Sequence, residues 1–122
     1  MGTDTLLFEK FGMDVPANKV LFTEGEAGDK MYIIKEGKVK ITKRIKGKDH
    51  LLAILGKGEF FGEMAIVNRI KRTASAVTMT ESRLLEFDRT GFVQMIEKNA
   101  EIALSVIDRL CRRLFSAVEK LK

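Results

Sequence analysis

The sequence contains very few of the residues that metal and redox chemistry require. Among its 122 residues there is one cysteine, Cys111, one histidine, His50, and no tryptophan. A single cysteine excludes an internal disulfide and any cluster that needs several thiolates, and a single histidine excludes sites built from several imidazoles. We therefore expect no metal and no enzymatic activity, because the side chains that hydrolytic and redox catalysis use most often are nearly absent.

Long apolar segments are absent as well. The longest purely apolar runs, such as Leu51–Leu55, are a few residues, whereas spanning a bilayer takes about 20. No apolar segment follows the basic start of a signal peptide, so we expect a cytoplasmic protein that does not bind membranes. The composition, 45% hydrophobic and 32% charged with one proline, is typical of one folded domain rather than a disordered chain.

The net charge of +5 is concentrated in one segment. Residues 35–57 contain eight basic and two acidic side chains. Such a patch attracts phosphates or nucleic acid, or it is a solvated hairpin face whose lysines protect exposed strand edges, and we favour the second interpretation. No aromatic residue interleaves these lysines, and no helix-turn-helix follows the last helical pattern. We expect no direct nucleic-acid binding by this chain.

The segment from Val20 to Asp88 has the pattern of short strands separated by glycine turns. In residues 38–45 the apolar side chains of Val39, Ile41 and Ile45 fall on one face, with Lys43 as the exception. Short strands at intervals of about eight to twelve residues predict an antiparallel roll or barrel. The predicted strands are residues 20–22, 31–34, 38–45, 50–55, 73–80 and 83–88.

The C-terminal third has helical spacing instead. Residues 90–99 form one predicted helix, and from Ala100 onward the apolar positions between Ala103 and Leu121 recur at intervals of four and three. This heptad pattern must face the protein's own β-structure, a second copy of the chain, or both. Cys111 lies within the apolar side, where we expect it to be a small core residue.

Residues 58–77 contain the groups that can bind a ligand. Gly62 precedes a predicted short helix, 63–67, whose first N–H groups suit an anion that approaches the glycine closely. Arg72 offers a planar fork that clamps phosphate oxygens, and Thr73 adds a hydroxyl. Glu63 fits such a site if it accepts a hydrogen bond from a ribose 2′-hydroxyl, and in the absence of ligand we expect it to pair with Arg72.

These residues resemble the phosphate-binding cassette of the cyclic nucleotide-binding domain family, which includes the bacterial catabolite activator, the regulatory subunits of cyclic-AMP-dependent kinase and cyclic-nucleotide-gated channels. The cassette reads Phe61-Gly-Glu-Met-Ala65, followed by Arg72-Thr-Ala-Ser75 ten residues after the glycine. The resemblance covers roughly residues 6–120. It implies a mainly β fold with α-helices: a jelly-roll-like antiparallel β-roll (double-stranded β-helix) of eight strands, with a short cassette helix and two C-terminal helices. The implied organisation is a single domain over residues 1–122, with the roll at about 6–88 and the helices at about 89–122.

The resemblance also implies the ligand, cyclic AMP or cyclic GMP, and the role of each residue. Glu63 would hold the ribose 2′-hydroxyl and Arg72 the equatorial phosphate oxygens. Gly62, the N–H groups of Met64 and Ala65, and the Thr73 hydroxyl would complete the phosphate site. The purine would be walled by Ile41, Leu52 and Ala53, and the last helix would close over it with Arg109, Arg112 or Arg113.

We therefore predict a non-catalytic sensor that acts through ligand-driven movement of the helix at residues 100–122. Two alternatives stay open: the sensor half of a catabolite-activator-type transcription regulator, and a degenerate interaction domain that binds no nucleotide. The family resemblance also favours a homodimer formed through the Ala103–Leu121 helix.

Overall fold

The computed structural model describes residues 9–67 and 69–121, and over these residues eight strands alternate with turns before two longer helices. The strands are β1 (Gly12–Val15), β2 (Val20–Phe22), β3 (Met31–Glu36), β4 (Val39–Ile45), β5 (Lys48–Leu55), β6 (Phe60–Phe61), β7 (Ser75–Thr78) and β8 (Ser82–Phe87). The helices are α1 (Glu63–Val67), α2 (Arg89–Lys98) and α3 (Ala100–Glu119).

The strands form two four-stranded antiparallel sheets, in the orders β1-β8-β3-β6 and β2-β7-β4-β5. This arrangement confirms the predicted antiparallel roll with a short cassette helix and two C-terminal helices. Two strands, β1 and β6, were not among those predicted from hydrophobic alternation. β6 has only two residues, too few to show a period of two, and β1 precedes Val20, where the recognised strand pattern begins.

The core lies between the two sheets and is built from alternating strand residues. Its buried cluster comprises Val15, Phe22, Tyr32, Ile34, Val39, Phe61, Ala76 and Leu84. Ile41 packs against this cluster from the same face of β4 as Val39, as the alternation predicts.

The β4–β5 hairpin carries most of the basic segment. Its turn is formed by Lys46 and Gly47, which both have positive φ, 53° and 79°, as in the two-residue turns that match the twist of paired strands. β5 is an edge strand, and it exposes Leu51, Leu52 and Ile54. The hairpin therefore presents basic and apolar side chains together.

The described residues divide into two compact units, one up to Arg89 and one from Thr90. In the second unit α3 begins after Asn99, whose side chain accepts a hydrogen bond from the N–H of Ile102. α3 contains no buried residue, and Cys111 is exposed. The prediction of Cys111 as a core residue is therefore wrong: its side chain is exposed although it lies among apolar positions of the helix. None of the described helices has the length and apolar content that crossing a bilayer requires.

Candidate functional site

Gly62 forms the junction between β6 and α1. It has a φ of +82°, a conformation that glycine adopts at little cost. A Cβ at this position would lie 3.0 Å from both the carbonyl oxygen of Lys30 and Nη1 of Arg72. The Gly62 carbonyl also accepts a hydrogen bond of 3.3 Å from the N–H of Ala65 in α1. Both the backbone conformation and the surrounding space therefore require glycine here.

Arg72 is tied to the loop between β2 and β3 by its backbone. Its N–H donates to the carbonyl of Glu26 at 3.0 Å, and its carbonyl accepts from the N–H of Gly25 at 2.8 Å. The side chain is buried, with 7% of its surface exposed. These two bonds to the loop therefore fix the backbone of Arg72, from which the side chain extends to Gly62.

The guanidinium group of Arg72 is bounded by one aromatic ring and two glycines. Its Cζ lies 3.9 Å from the centroid of the Phe22 ring, and Nη1 donates to the Gly62 carbonyl at 3.4 Å. A Cβ on Gly28 would come within 2.6 Å of Cζ, so the guanidinium occupies the space that a side chain at position 28 would need. We call Phe22, Gly28 and Gly62 the guanidinium slot.

The charged group in this slot is incompletely satisfied. Among the described residues, Nε of Arg72 is a buried side-chain donor with no hydrogen-bond partner. Burial lowers the pKa of the guanidinium, while Tyr32, Glu26 and Asp29 act in the opposite direction. Burying a cation with so little hydrogen bonding is costly, and such groups are concentrated at functional sites. The slot suits an incoming anion.

Glu63 does not fill the place of that anion. It is the first residue of α1 and is half-buried, but it is not among the contacts of the guanidinium in the described part of the chain. The expected ion pair between Glu63 and Arg72 is therefore replaced by the Phe22 ring and the Gly62 carbonyl.

The other predicted phosphate-site residues, Met64, Ala65 and Thr73, directly follow the turn at Gly62 or the arginine in the chain. Ala65 is buried and Met64 is exposed, and both belong to the first turn of α1. Thr73 is exposed, and its carbonyl accepts a hydrogen bond of 2.9 Å from Nζ of Lys43. The structure thus brings Gly62 and Arg72 into contact, and the ligand-binding roles of all these residues stay predictions.

The three residues predicted to contact the purine do not all lie on one face of the β4–β5 hairpin. Ile41 and Ala53 are directly opposite each other in the β4–β5 ladder, but the register shifts immediately beyond this pair. Leu52 lies at that bulge and is 54% exposed. Ile41 and Ala53 therefore share a face as expected, and Leu52 is the residue that the bulge separates from them.

The three candidate lid arginines belong to α3 in the second unit. Arg112 is exposed and forms an ion pair of 2.9 Å with Asp108, one helical turn earlier. Arg109 is half-buried and Arg113 is exposed. A role of any of them over a purine stays a prediction.

Sequence reasoning did not identify the residues that hold Arg72. Phe22, Tyr32 and Phe61 form an aromatic cluster with ring centroids 5.1 to 6.2 Å apart. Burial, reinforced by Glu86, raises the pKa of Tyr32 well above its usual range. Phe22 and Gly28 were visible only as part of the resemblance upstream of the cassette, because nothing in their spacing shows that they contact Arg72.

Lys43, the exception in the alternation of β4, also proves to support the cassette. Its Nζ binds Glu24 at 3.0 Å in addition to the Thr73 carbonyl. The Glu24 carboxylate accepts a further hydrogen bond from the N–H of Arg44, and this bond, followed by that from Lys43, holds the pKa of Glu24 below its usual value. The N–H of Glu24 donates to Oγ of Ser75. Lys43, although partly exposed, thus fastens the segment after Arg72 to Glu24.

The C-terminal end of α1 is held by Arg89. Its Nη1 donates a hydrogen bond of 3.1 Å to the carbonyl of Ile66, a carbonyl of the last turn that the helix itself leaves without a partner. Arg89 is also the first residue of α2. The short cassette helix is therefore linked to the point where the second unit begins.

The fold and the site together define a class of protein: an antiparallel β-roll with a buried arginine beside the start of a short helix. The chain belongs to the cyclic nucleotide-binding domain family, whose model matches residues 13–99.

Several known proteins with similar sequences or structures are regulators. The chain is 42% identical over 103 residues to the "CRP-like cAMP-activated global transcriptional regulator" of Mycobacterium tuberculosis, covering 84% of this chain and 46% of that protein. The crystal structure of the Thermus thermophilus catabolite activator protein is similar, with a TM-score of 0.82 and 30% identity over 99% of this chain and 59% of that one. The regulatory domain of Toxoplasma gondii PKA in complex with cAMP has a TM-score of 0.65 and 28% identity over 68% of this chain and 32% of that one. The chain spans about half the length of these curated regulators from Mycobacterium tuberculosis and Thermus thermophilus.

Proposed function

We propose that this chain binds a cyclic nucleotide at Arg72 and the turn from Gly62 to Ala65, and that it acts as a sensor without catalytic activity. The observation that carries the proposal is the buried Arg72 guanidinium, whose Nε has no hydrogen-bond partner among the described residues. A cyclic phosphodiester supplies the negative charge and the acceptor oxygens that this group lacks. Because the chain belongs to the cyclic nucleotide-binding domain family, we propose a cyclic nucleotide as this ligand.

Each cassette residue then has a chemical role. Arg72 binds the phosphate oxygens, and the N–H groups of Met64 and Ala65 at the start of α1 add donors. The N–H of Ala65 exchanges its long bond to the Gly62 carbonyl for the ligand. Glu63 accepts the ribose 2′-hydroxyl, and the Thr73 hydroxyl lies beside the phosphate. The expectation that no metal takes part stays a prediction.

We place cyclic AMP ahead of cyclic GMP as the ligand. The Mycobacterium tuberculosis regulator is named as cAMP-activated, and the Toxoplasma gondii domain was crystallised with cAMP. The base would contact Ile41, Ala53 and a side chain of α3, and Leu52 contributes less because it lies at the bulge. Cyclic GMP is the competitor that every binding experiment should include.

The signal would pass through α1. Capture of the phosphate at the first turn of α1 shifts this short helix, and Arg89 is bound to the carbonyl of Ile66 at its other end. Because Arg89 begins α2, the shift reaches the helical unit, and movement of α3 is the output. Such a change requires that the ligand contact the two states differently.

We further propose that α3 joins two copies of the chain. Its heptad positions include Ile107 and Leu114, which are 55% and 67% exposed, and the helix contains no buried residue. An apolar row along a helix of 20 residues, about 30 Å in length, favours a parallel partner of the same kind.

Two wider roles remain compatible with this proposal. Because the chain corresponds to about half the length of the Mycobacterium tuberculosis regulator, it can serve as the sensor half of a catabolite-activator-type transcription regulator. Direct nucleic-acid contact by this chain is not part of the proposal. The cytoplasmic location expected from the sequence also stays a prediction.

The test is a calorimetric titration of the wild-type chain and Arg72→Ala with cyclic AMP and with cyclic GMP. Truncating a charged partner in a buried contact costs about 2–5 kcal/mol, so the variant should bind at least about thirtyfold more weakly. Arg83→Ala is the matched control, because Arg83 is an exposed arginine that pairs with Asp14. Equal affinity of wild type and Arg72→Ala contradicts the proposed site. A folded wild type that binds neither nucleotide supports the degenerate interaction domain instead.

A further inference from the structure

Among the residues that the structure describes, the contacts of the buried Arg72 guanidinium are an aromatic ring and a backbone carbonyl. We propose that Phe22 is the positioning residue for Arg72: its ring stacks on the guanidinium and fixes the orientation in which the group meets the phosphate. This inference rests on the proposed function and assigns a residue outside the cassette to it.

The distance and surroundings support a real cation–π contact. Cζ of Arg72 lies 3.9 Å from the Phe22 ring centroid, well inside the limit of about 6 Å for this interaction. Phe22 and Arg72 are both buried, and removal from water strengthens the attraction between a cation and a ring face. Gly28 leaves the space that the stacked group occupies.

Stacking suits an anion-binding arginine better than an ion pair does. The five N–H donors of a guanidinium lie in its plane, whereas a ring contacts its face. A carboxylate partner would occupy in-plane donors and would compete with the phosphate. Phe22 holds the cation while Nε stays without a hydrogen-bond partner among the described residues.

The ring is itself held in place, which is what positioning requires. Phe22 lies 6.2 Å from Tyr32 and 6.0 Å from Phe61, measured between ring centroids. Phe61 directly precedes Gly62, the carbonyl of which accepts a hydrogen bond from Nη1 of Arg72. The aromatic cluster therefore connects the stacked face of the guanidinium to the cassette backbone that the ligand would contact.

The experiment compares Phe22→Leu with Phe22→Tyr, measuring affinity for cyclic AMP and cyclic GMP by calorimetry. Loss of the ring should weaken binding about five- to thirtyfold, and the tyrosine variant, which keeps the aromatic face, should bind nearly as wild type. Phe22→Met fills similar space without a ring and replaces the leucine variant if that variant does not fold. Phe87→Leu is the matched control, because it removes a buried ring that contacts Phe11.

A second readout reports on the stack directly. The ring current of Phe22 should displace the NMR resonance of the Arg72 Nε–H, and Phe22→Leu should move this resonance while Phe87→Leu leaves it in place. Equal losses of affinity in the Phe22→Leu and Phe87→Leu variants would overturn the inference, as would equal losses in the leucine and tyrosine variants. If the wild type binds and Phe22→Leu binds equally well, only the positioning role fails. If the wild type binds neither nucleotide, the proposed function itself fails.

Discussion

Gly28 offers a way to disturb the proposed ligand site without touching a residue that would contact the ligand. A Cβ at this position would come within 2.6 Å of Cζ of Arg72, so in Gly28→Ala the guanidinium must move by roughly 1 Å to restore ordinary van der Waals contact. Gly28 does not have a positive φ, and alanine there introduces no backbone strain. The change therefore displaces one side chain and little else.

The expected effect is a large loss of affinity with little change in stability. A hydrogen bond to a charged group is worth about 1.5–3 kcal/mol, so misplacing one guanidinium donor should weaken cyclic-nucleotide binding about ten- to 150-fold. Replacing glycine by alanine at an unstrained position stabilises by about 0.4–1 kcal/mol through the unfolded chain, which offsets part of the cost of moving Arg72.

The assay is a pair of measurements on Gly28→Ala, a calorimetric titration with cyclic AMP and a thermal unfolding curve. Gly56→Ala is the matched control, since a Cβ at Gly56 would meet no atom within 4 Å. If Gly28→Ala binds as tightly as Gly56→Ala, the position of the guanidinium does not govern affinity, and the reasoning about the slot is refuted.

Three further predictions concern the ribose, acid stability and assembly. Glu63→Ala should weaken binding of cyclic AMP more than that of its 2′-deoxy analogue in competition assays, and equal losses would contradict the ribose role. The pKa of Glu24 is lowered in the folded state, so its stabilising effect is present above the ordinary value of 4.5 and is lost as the pH falls through the folded value. Glu24→Gln should therefore show a shallower fall in melting temperature below that pH than the wild type, and parallel curves would exclude the effect. In sedimentation velocity the wild type should be a dimer and Ile107→Lys a monomer, with the exposed Ser105→Lys on the opposite side of α3 unchanged; a monomeric wild type would contradict assembly through this helix.

The parts of the fold that follow from periodicity were predictable from the sequence. β4 alternates over most of its seven residues, and its pairing with β5 and β7 places Val39 in the core as the pattern requires. β6 has only two residues, so its pairing with β3 depends on tertiary contacts that no local pattern records. Lys43 interrupts the alternation of β4. Its partners, Glu24 and Thr73, lie 19 and 30 positions away in sequence, so no local pattern predicts these contacts.

The cassette residues of the candidate site could be predicted from the sequence, but the residues that hold Arg72 in place could not. Gly62 and Arg72 were identified by their spacing and residue types, and the structure places them in contact. The stacking of Arg72 on Phe22 joins residues 50 positions apart, and an aromatic residue in a strand is expected in the core whether or not it contacts a cation. Cys111 was placed wrongly because an apolar helix face does not say whether the chain itself covers it.

Nε of Arg72, which has no hydrogen-bond partner in the described part of the chain, also bears on how strongly a ligand can be held. Nε is already shielded from water by the folded chain, so an arriving phosphate does not have to strip a hydration shell from it. The free-energy cost of removing water from Nε was incurred when the protein folded. Most of the attraction between Nε and a phosphate therefore contributes to the binding free energy. The fold thus gives up some of its own stability so that this donor is available to a ligand.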